Sequence, residues 1–154
     1  MKKIFVFICL AFIAFNANAQ KQWVYSVSES DELLGKSEYN IYMYVDGENG
    51  IGINDDIEKN TMIAFVTKGI FDYDGGGIVG IIGYYDNNDT LIKKENLYLV
   101  KNGSYSNGIT INKKTVDFLK NENGYVRFVV DRYNDSKFDI KVPTFSKNKP
   151  IREK

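Results

Sequence analysis

Histidine is absent from the 154 residues, and the single cysteine, Cys9, lies in the apolar N-terminal run. Without imidazole there is no Ser-His or Cys-His nucleophile pair. Zinc and copper sites built on imidazole or thiolate are excluded with it. A lone cysteine closes no intrachain disulfide, so stability must come from a packed core. An excess of one charge is missing too, since 20 basic side chains balance 20 acidic ones. A near-neutral chain has no general attraction to nucleic acid or to an anionic membrane. No serine sits in a G-x-S-x-G elbow. Gly75-Gly76-Gly77 lacks the Lys-Ser/Thr and the following helix of a phosphate loop. No cofactor is expected on these grounds.

The N-terminus has the layout of a cleavable signal peptide. Lys2 and Lys3 form a positive start, Ile4 to Phe15 is apolar and uncharged, and Ala17-Asn18-Ala19 presents small residues to a peptidase. The apolar stretch is shorter than the roughly 20 residues that span a bilayer. Cys9 lies inside the apolar stretch rather than at a cleavage point, which argues against lipidation. Residues 1–19 are therefore expected to be removed on export to the periplasm or medium. The remaining 135 residues carry 18 basic and 20 acidic side chains, a net charge of −2 with no membrane span.

What is abundant is strand-forming: 11 Tyr and 10 Phe, with Ile and Val, punctuated by Asn, Asp and Gly clusters about every ten residues. Strands are predicted near Trp23–Ser28, Tyr39–Val45, Thr61–Thr67 (with Ile70–Tyr73 as a continuation), Ile78–Tyr85, Leu91–Ile92 and Leu97–Val100. Tyr125–Tyr133 and Phe138–Val142 complete the set as a hairpin. Val126, Phe128 and Val130 are expected to face the core together with Phe138, Ile140 and Val142. One short helix is predicted over residues 113–121, capped by Asn112 and stopped at Asn123-Gly124. The expected fold is mainly β: a single domain over residues 20–145, an antiparallel two-layer β-sandwich or alternatively a β-barrel. The basic tail, residues 146–154, lacks periodicity and is expected to be disordered.

Candidate sites follow from these strands. Tyr42 and Tyr44 share the face opposite Ile41 and Met43. Tyr84 and Tyr85 are adjacent, so one of them must point away from the core. Tyrosine on an open sheet face offers rigid area with a polar tip, suited to a protein or glycan partner. Tyr42, Tyr44, Tyr84 and Tyr85 are therefore the binding candidates. Asp72-x-Asp74-Gly75 resembles the start of a calcium loop, but the twelfth position is Gly83 rather than a Glu. A looser oxygen site from Asp72, Asp74, Asp86 and Asp89 is the metal alternative to ordinary turn residues. Glycan hydrolysis by paired carboxylates has Glu29, Glu32, Glu38, Glu48, Glu58, Glu95 and Glu122 to draw on, none singled out by spacing. Asn88-Asp89-Thr90, Asn102-Gly103-Ser104 and Asn134-Asp135-Ser136 fit the glycosylation pattern and read as turns.

The order of features is similar to that of exported bacterial β-sandwich domains. Trp23 is followed by Ser30-Asp31-Glu32-Leu33-Leu34-Gly35-Lys36, and Thr61 to Phe71 leads to an aromatic. Tyr84-Tyr85-Asp86, Phe118-Leu119-Lys120 and Phe138-Asp139-Ile140 come after them. In that order the segments resemble the invasion-associated locus B family and the periplasmic accessory proteins of type VI secretion. The chain lacks the Cys near the central strand and the Arg before the aromatic-Asp pair. The resemblance implies a sandwich and an envelope-linked binding role, without fixing any functional residue. The expectation is a non-enzymatic binding or accessory domain for an envelope protein or glycan. A small carboxylate hydrolase and a barrel holding an apolar ligand are the alternatives.

Overall fold

A computed structural model describes residues 21–29, 38–47, 49–55, 62–66, 78–98, 108–110, 112–131 and 137–153. Their strands form two sheets. The first contains β1 (Trp23–Glu29), β2 (Glu38–Asp46), β3 (Asn49–Asn54), β4 (Met62–Val66), β7 (Gly108–Thr110) and β10 (Ile151–Arg152). Its order is β10-β1-β2-β3-β4-β7. The second contains β5 (Ile78–Tyr85), β6 (Leu91–Tyr98), β8 (Tyr125–Asp131) and β9 (Lys137–Pro143), in the order β6-β5-β8-β9. Every pairing is antiparallel except β1 with β10, which is parallel over two residues. The sheets pack face to face as a sandwich and do not close, so the barrel alternative does not hold.

Alternation builds the core. Trp23, Tyr44, Ile51 and Ile53 project from the first sheet to meet Ile82, Tyr84, Val126, Phe128, Val130, Phe138, Ile140 and Val142 from the second. Trp23, Phe128 and Phe138 are fully buried. The inward run expected of β8 and β9 is the one observed, in register Val126↔Val142, Phe128↔Ile140 and Val130↔Phe138. Ile41 and Met43 are 8% and 2% exposed although they lie on the opposite face of β2 from Tyr44. The middle of the first sheet is thus buried on both sides.

The helix α1 (Lys113–Asn121) forms where the spacing predicts it. The Asn112 side chain accepts from the Thr115 N–H at 3.2 Å, and the Glu122 N–H closes the far end on the Phe118 carbonyl. Nine residues are too few to hold a helix alone. Thr115, Val116 and Leu119 are buried, and Phe118 meets the Tyr84 ring edge-on at 5.2 Å. Packing on the core therefore stabilises it.

Three departures from expectation concern less periodic segments. β3 and β7 were not predicted, and β6 is one continuous strand rather than two short pieces. The 146–154 tail is tethered instead of disordered over its described part. The Asn148 carboxamide accepts from the Trp23 N–H at 2.9 Å and donates to the Lys21 carbonyl at 2.6 Å. Gln22 reaches the Lys149 carbonyl at 2.7 Å, and the Glu153 N–H bonds the Tyr25 carbonyl. Side-chain amides satisfy this backbone, so apolar periodicity is not needed to place it. The expected signal peptide, Asp72, Asp74, Gly75-Gly76-Gly77 and Ile70–Tyr73 lie outside the described residues.

Candidate functional site

The four tyrosines singled out from sequence do not form one surface. Tyr44 is 4% exposed and Tyr84 3%. Both belong to the core rather than to an open face. Tyr44 sits with Trp23 (5.4 Å between rings) because β1 and β2 pair Trp23 directly against it. Burial, and secondarily the Asp46 carboxylate, push its phenol up to about 12. Tyr42 is half-buried in the same cluster, 4.8 Å from Phe145 and 5.7 Å from Tyr25. Lys120 lies over its ring and ion-pairs with Asp55.

Tyr84 anchors a polar node at the N-terminus of α1. Its hydroxyl bonds Glu95 Oε2 at 2.9 Å and Thr115 Oγ1 at 2.6 Å. Burial raises its pKa. Glu95 also pairs with Lys93 and accepts weakly from Asn112 at 3.4 Å. The Lys93 bond, then Tyr84, hold this carboxylate below its ordinary range, so it is ionised at neutral pH. An ionised, ion-paired Glu is poorly suited to act as a general acid. Its partners instead tie β6, β5 and α1 together.

Tyr85 alone among the four faces outward, on the second sheet's outer face. Register arranges that face in rows running across the strands. One row is Leu91 (β6), Tyr85 (β5), Tyr125 (β8) and Pro143 (β9). The next is Lys94, Gly83, Arg127 and Lys141, and the third is Asn96, Ile81, Val129 and Asp139. Tyr85 and Tyr125 stack at 4.8 Å with their planes 6° apart. The Lys141 ammonium caps the free face of Tyr125 at 5.0 Å, a cation–π contact. Burial, and then the nearby Asp89 carboxylate, raise the Tyr125 phenol above its ordinary range. Arg127 Nε donates to Asp139 Oδ1 at 2.8 Å and Nη2 to Oδ2, a bidentate pair that raises the guanidinium pKa and lowers that of the carboxyl.

Gly83 leaves a gap in the second row. A Cβ there would stand 2.9 Å from Tyr85 Cε2 and 3.4 Å from Leu91 Cδ1. The result is a shallow depression of about 100 Å³, floored by Gly83, walled by Ile81, Tyr85, Leu91 and Val129, with Lys94 and Arg127 on either side. Ile81 and Leu91, which line it, are 48% and 47% exposed, and Ile92, next to Leu91 in β6, is 59% exposed. Single exposed aliphatics are ordinary on a protein surface; Ile81 and Leu91 are gathered beside the stacked tyrosines, which makes this face the candidate site. Sequence reasoning missed Tyr125, Arg127 and Gly83. The inward placement of Val126, Phe128 and Val130 already implied that Tyr125 and Arg127 point outward, but only the β5–β8 pairing brings them to Tyr85.

Of the calcium candidates, Asp86 serves its own turn: Oδ1 accepts from the Asn88 and Thr90 N–H groups at 2.8 and 2.9 Å. Those bonds, Thr90 first, lower its pKa. Asp89 occupies the left-handed position, φ 60°, of the same turn. Among the described residues no three His, Cys, Asp or Glu side chains gather as metal ligands. Ser146 and Lys149 stand at the S-x-x-K spacing of some serine acyl-transfer enzymes, which sequence reading overlooked. The Ser146 hydroxyl is engaged by the Glu122 carbonyl at 2.8 Å and by Thr144 Oγ1 at 3.0 Å. No described helix is long and apolar enough to cross a membrane. The chain matches no protein family, no curated protein and no solved structure.

Proposed function

We propose that the chain is an exported, non-enzymatic binding module that docks a protein or glycan of the cell envelope on the outer face of β6-β5-β8-β9. The observation that carries this reading is the cluster of Ile81, Leu91 and the Tyr85–Tyr125 stack, an apolar surface left open to solvent. Stacked tyrosines lose little side-chain entropy on docking, which favours them at interfaces. The N-terminal Lys2-Lys3, apolar run and Ala17-Asn18-Ala19 support export, and the lack of histidine supports a role without acid–base chemistry at neutral pH.

The test is capture from envelope extract by the immobilised protein, with Ile81→Asp as the perturbing variant. Lys114→Glu, exposed on α1, is the control. The reading expects a band retained by the parent and by Lys114→Glu and lost with Ile81→Asp. A band retained equally by all three would remove this face from the account.

A further inference from the structure

Resting on that reading, the structure assigns a narrower occupant: we infer that this face takes an acidic protein segment, one carboxylate of which sits over Gly83 between Lys94 and Arg127. Charge is the first argument. The second row carries three cations, Lys94, Arg127 and Lys141, against two nearby carboxylates, Asp139 in the next row and Asp89 beside Tyr125. Among the described residues, Lys94 has no carboxylate partner. Arg127 directs two of its five N–H donors to Asp139, which leaves others for an incoming anion.

Space is the second argument. Gly83 lies between Lys94 and Arg127 in the same row, one strand from each, so the two charged ends flank a hollow rather than a side chain. Neighbouring strands are about 4.8 Å apart, so the two Cα positions lie about 10 Å from each other. That separation lets two long cationic side chains converge on one carboxylate with charge-assisted hydrogen bonds.

The aromatic rings favour a peptide over a sugar. A pyranose needs an open aromatic face. Here one face of Tyr85 is covered by Tyr125, and its ring edge leans over Gly83. The outer face of Tyr125 is covered by the Lys141 ammonium. The large hydrophobic side chains most exposed beside the hollow are aliphatic, Ile81 and Leu91. Aliphatic area beside a cationic hollow complements a segment that alternates apolar and acidic residues.

Poly-L-glutamate, polygalacturonate and dextran serve as probes against the full chain, read by calorimetry at 0.1 M salt and again at 0.5 M. Poly-L-glutamate should bind and should weaken steeply at the higher salt as the Debye length shortens. Lys94→Gln should weaken it by about 3- to 10-fold, the range for one exposed charge-assisted contact. Asp139→Asn should tighten it severalfold, because it releases Arg127 from its present partner; a merely structural Asp139 would not give that gain. No binding of poly-L-glutamate, or binding indifferent to both variants, overturns the inference. Tighter binding of polygalacturonate than of poly-L-glutamate overturns it in favour of an acidic glycan. The broader reading is judged separately. If Ile81→Asp abolishes capture from extract while Lys94→Gln changes nothing, the docking face stands and the carboxylate site falls.

Discussion

Replacing Tyr84 by Phe removes one oxygen from the point where β5, β6 and α1 meet. The ring keeps its volume and its edge-on contact with Phe118, so the change isolates the hydroxyl. Two partners lose it unequally. Glu95 keeps Lys93 and is about a quarter exposed, so solvent replaces most of what is lost. Thr115 is 1% exposed, and its remaining contact, Asn112 Oδ1, is at 3.5 Å, too long to replace the lost one. Leaving a buried hydroxyl nearly unpartnered costs about 1–3 kcal/mol, so a loss near 2 kcal/mol is expected. Thr115→Val should cost about 1 kcal/mol, because Tyr84 retains Glu95. The double variant removes both ends of the bond and should recover about 1 kcal/mol relative to the sum, since an apolar pair leaves nothing unsatisfied. Urea unfolding followed by the fluorescence of Trp23, the only tryptophan, reads all three values. Strictly additive single-variant losses would refute the reasoning, because the two hydroxyls would then not be coupled.

Alkali should act through the tyrosines. Burial raises the folded pKa values of Tyr42, Tyr44 and Tyr84 above the ordinary 10. Their contribution is therefore complete below pH 10 and is lost as pH rises through the folded values, about 12 for Tyr44. Urea midpoints should hold from pH 8 to 10 and fall from 10 to 12, with phenolate absorbance lagging behind that of free tyrosine. Gly124→Ala should destabilise by about 2–4 kcal/mol, since φ is +153° and a Cβ would stand 1.9 Å from the Tyr85 carbonyl oxygen; thermal melting checks it. Asn148→Ala should cost about 1–3 kcal/mol by removing two bonds that hold the tail to Trp23 of β1 and to Lys21 just before it. Hydrogen exchange should then show faster amides at 148–153, and an unchanged profile would mean the tail is held by other contacts.

Much of the sandwich was legible because half-buried strands print their period on the sequence. Val126, Phe128 and Val130 alternate with Tyr125, Arg127 and Val129, and the inward set is the one that alternation names. β6 escaped that logic: Leu91 to Lys94 are all exposed, so no face is marked by apolarity. β3 was obscured by Gly50 and Gly52, residues that read as turn yet are buried in a strand. The tyrosines were misjudged for another reason. A strand with large side chains on both faces, as Ile41, Met43, Tyr42 and Tyr44 are, does not say which face is inward. Trp23 and Ile51, placed opposite Tyr44 by pairing, decide it. The proposed docking face was invisible for a different cause, since Tyr85 and Tyr125 are 40 positions apart and meet only through the β5–β8 ladder.

Hydrogen-exchange footprinting of the full chain, with and without envelope extract, reaches the proposed docking face without altering any residue. Slowed exchange confined to residues 81–85, 91–94 and 125–129 is the predicted outcome. Protection confined to β1, β2 and β3, or no protection anywhere, would contradict it.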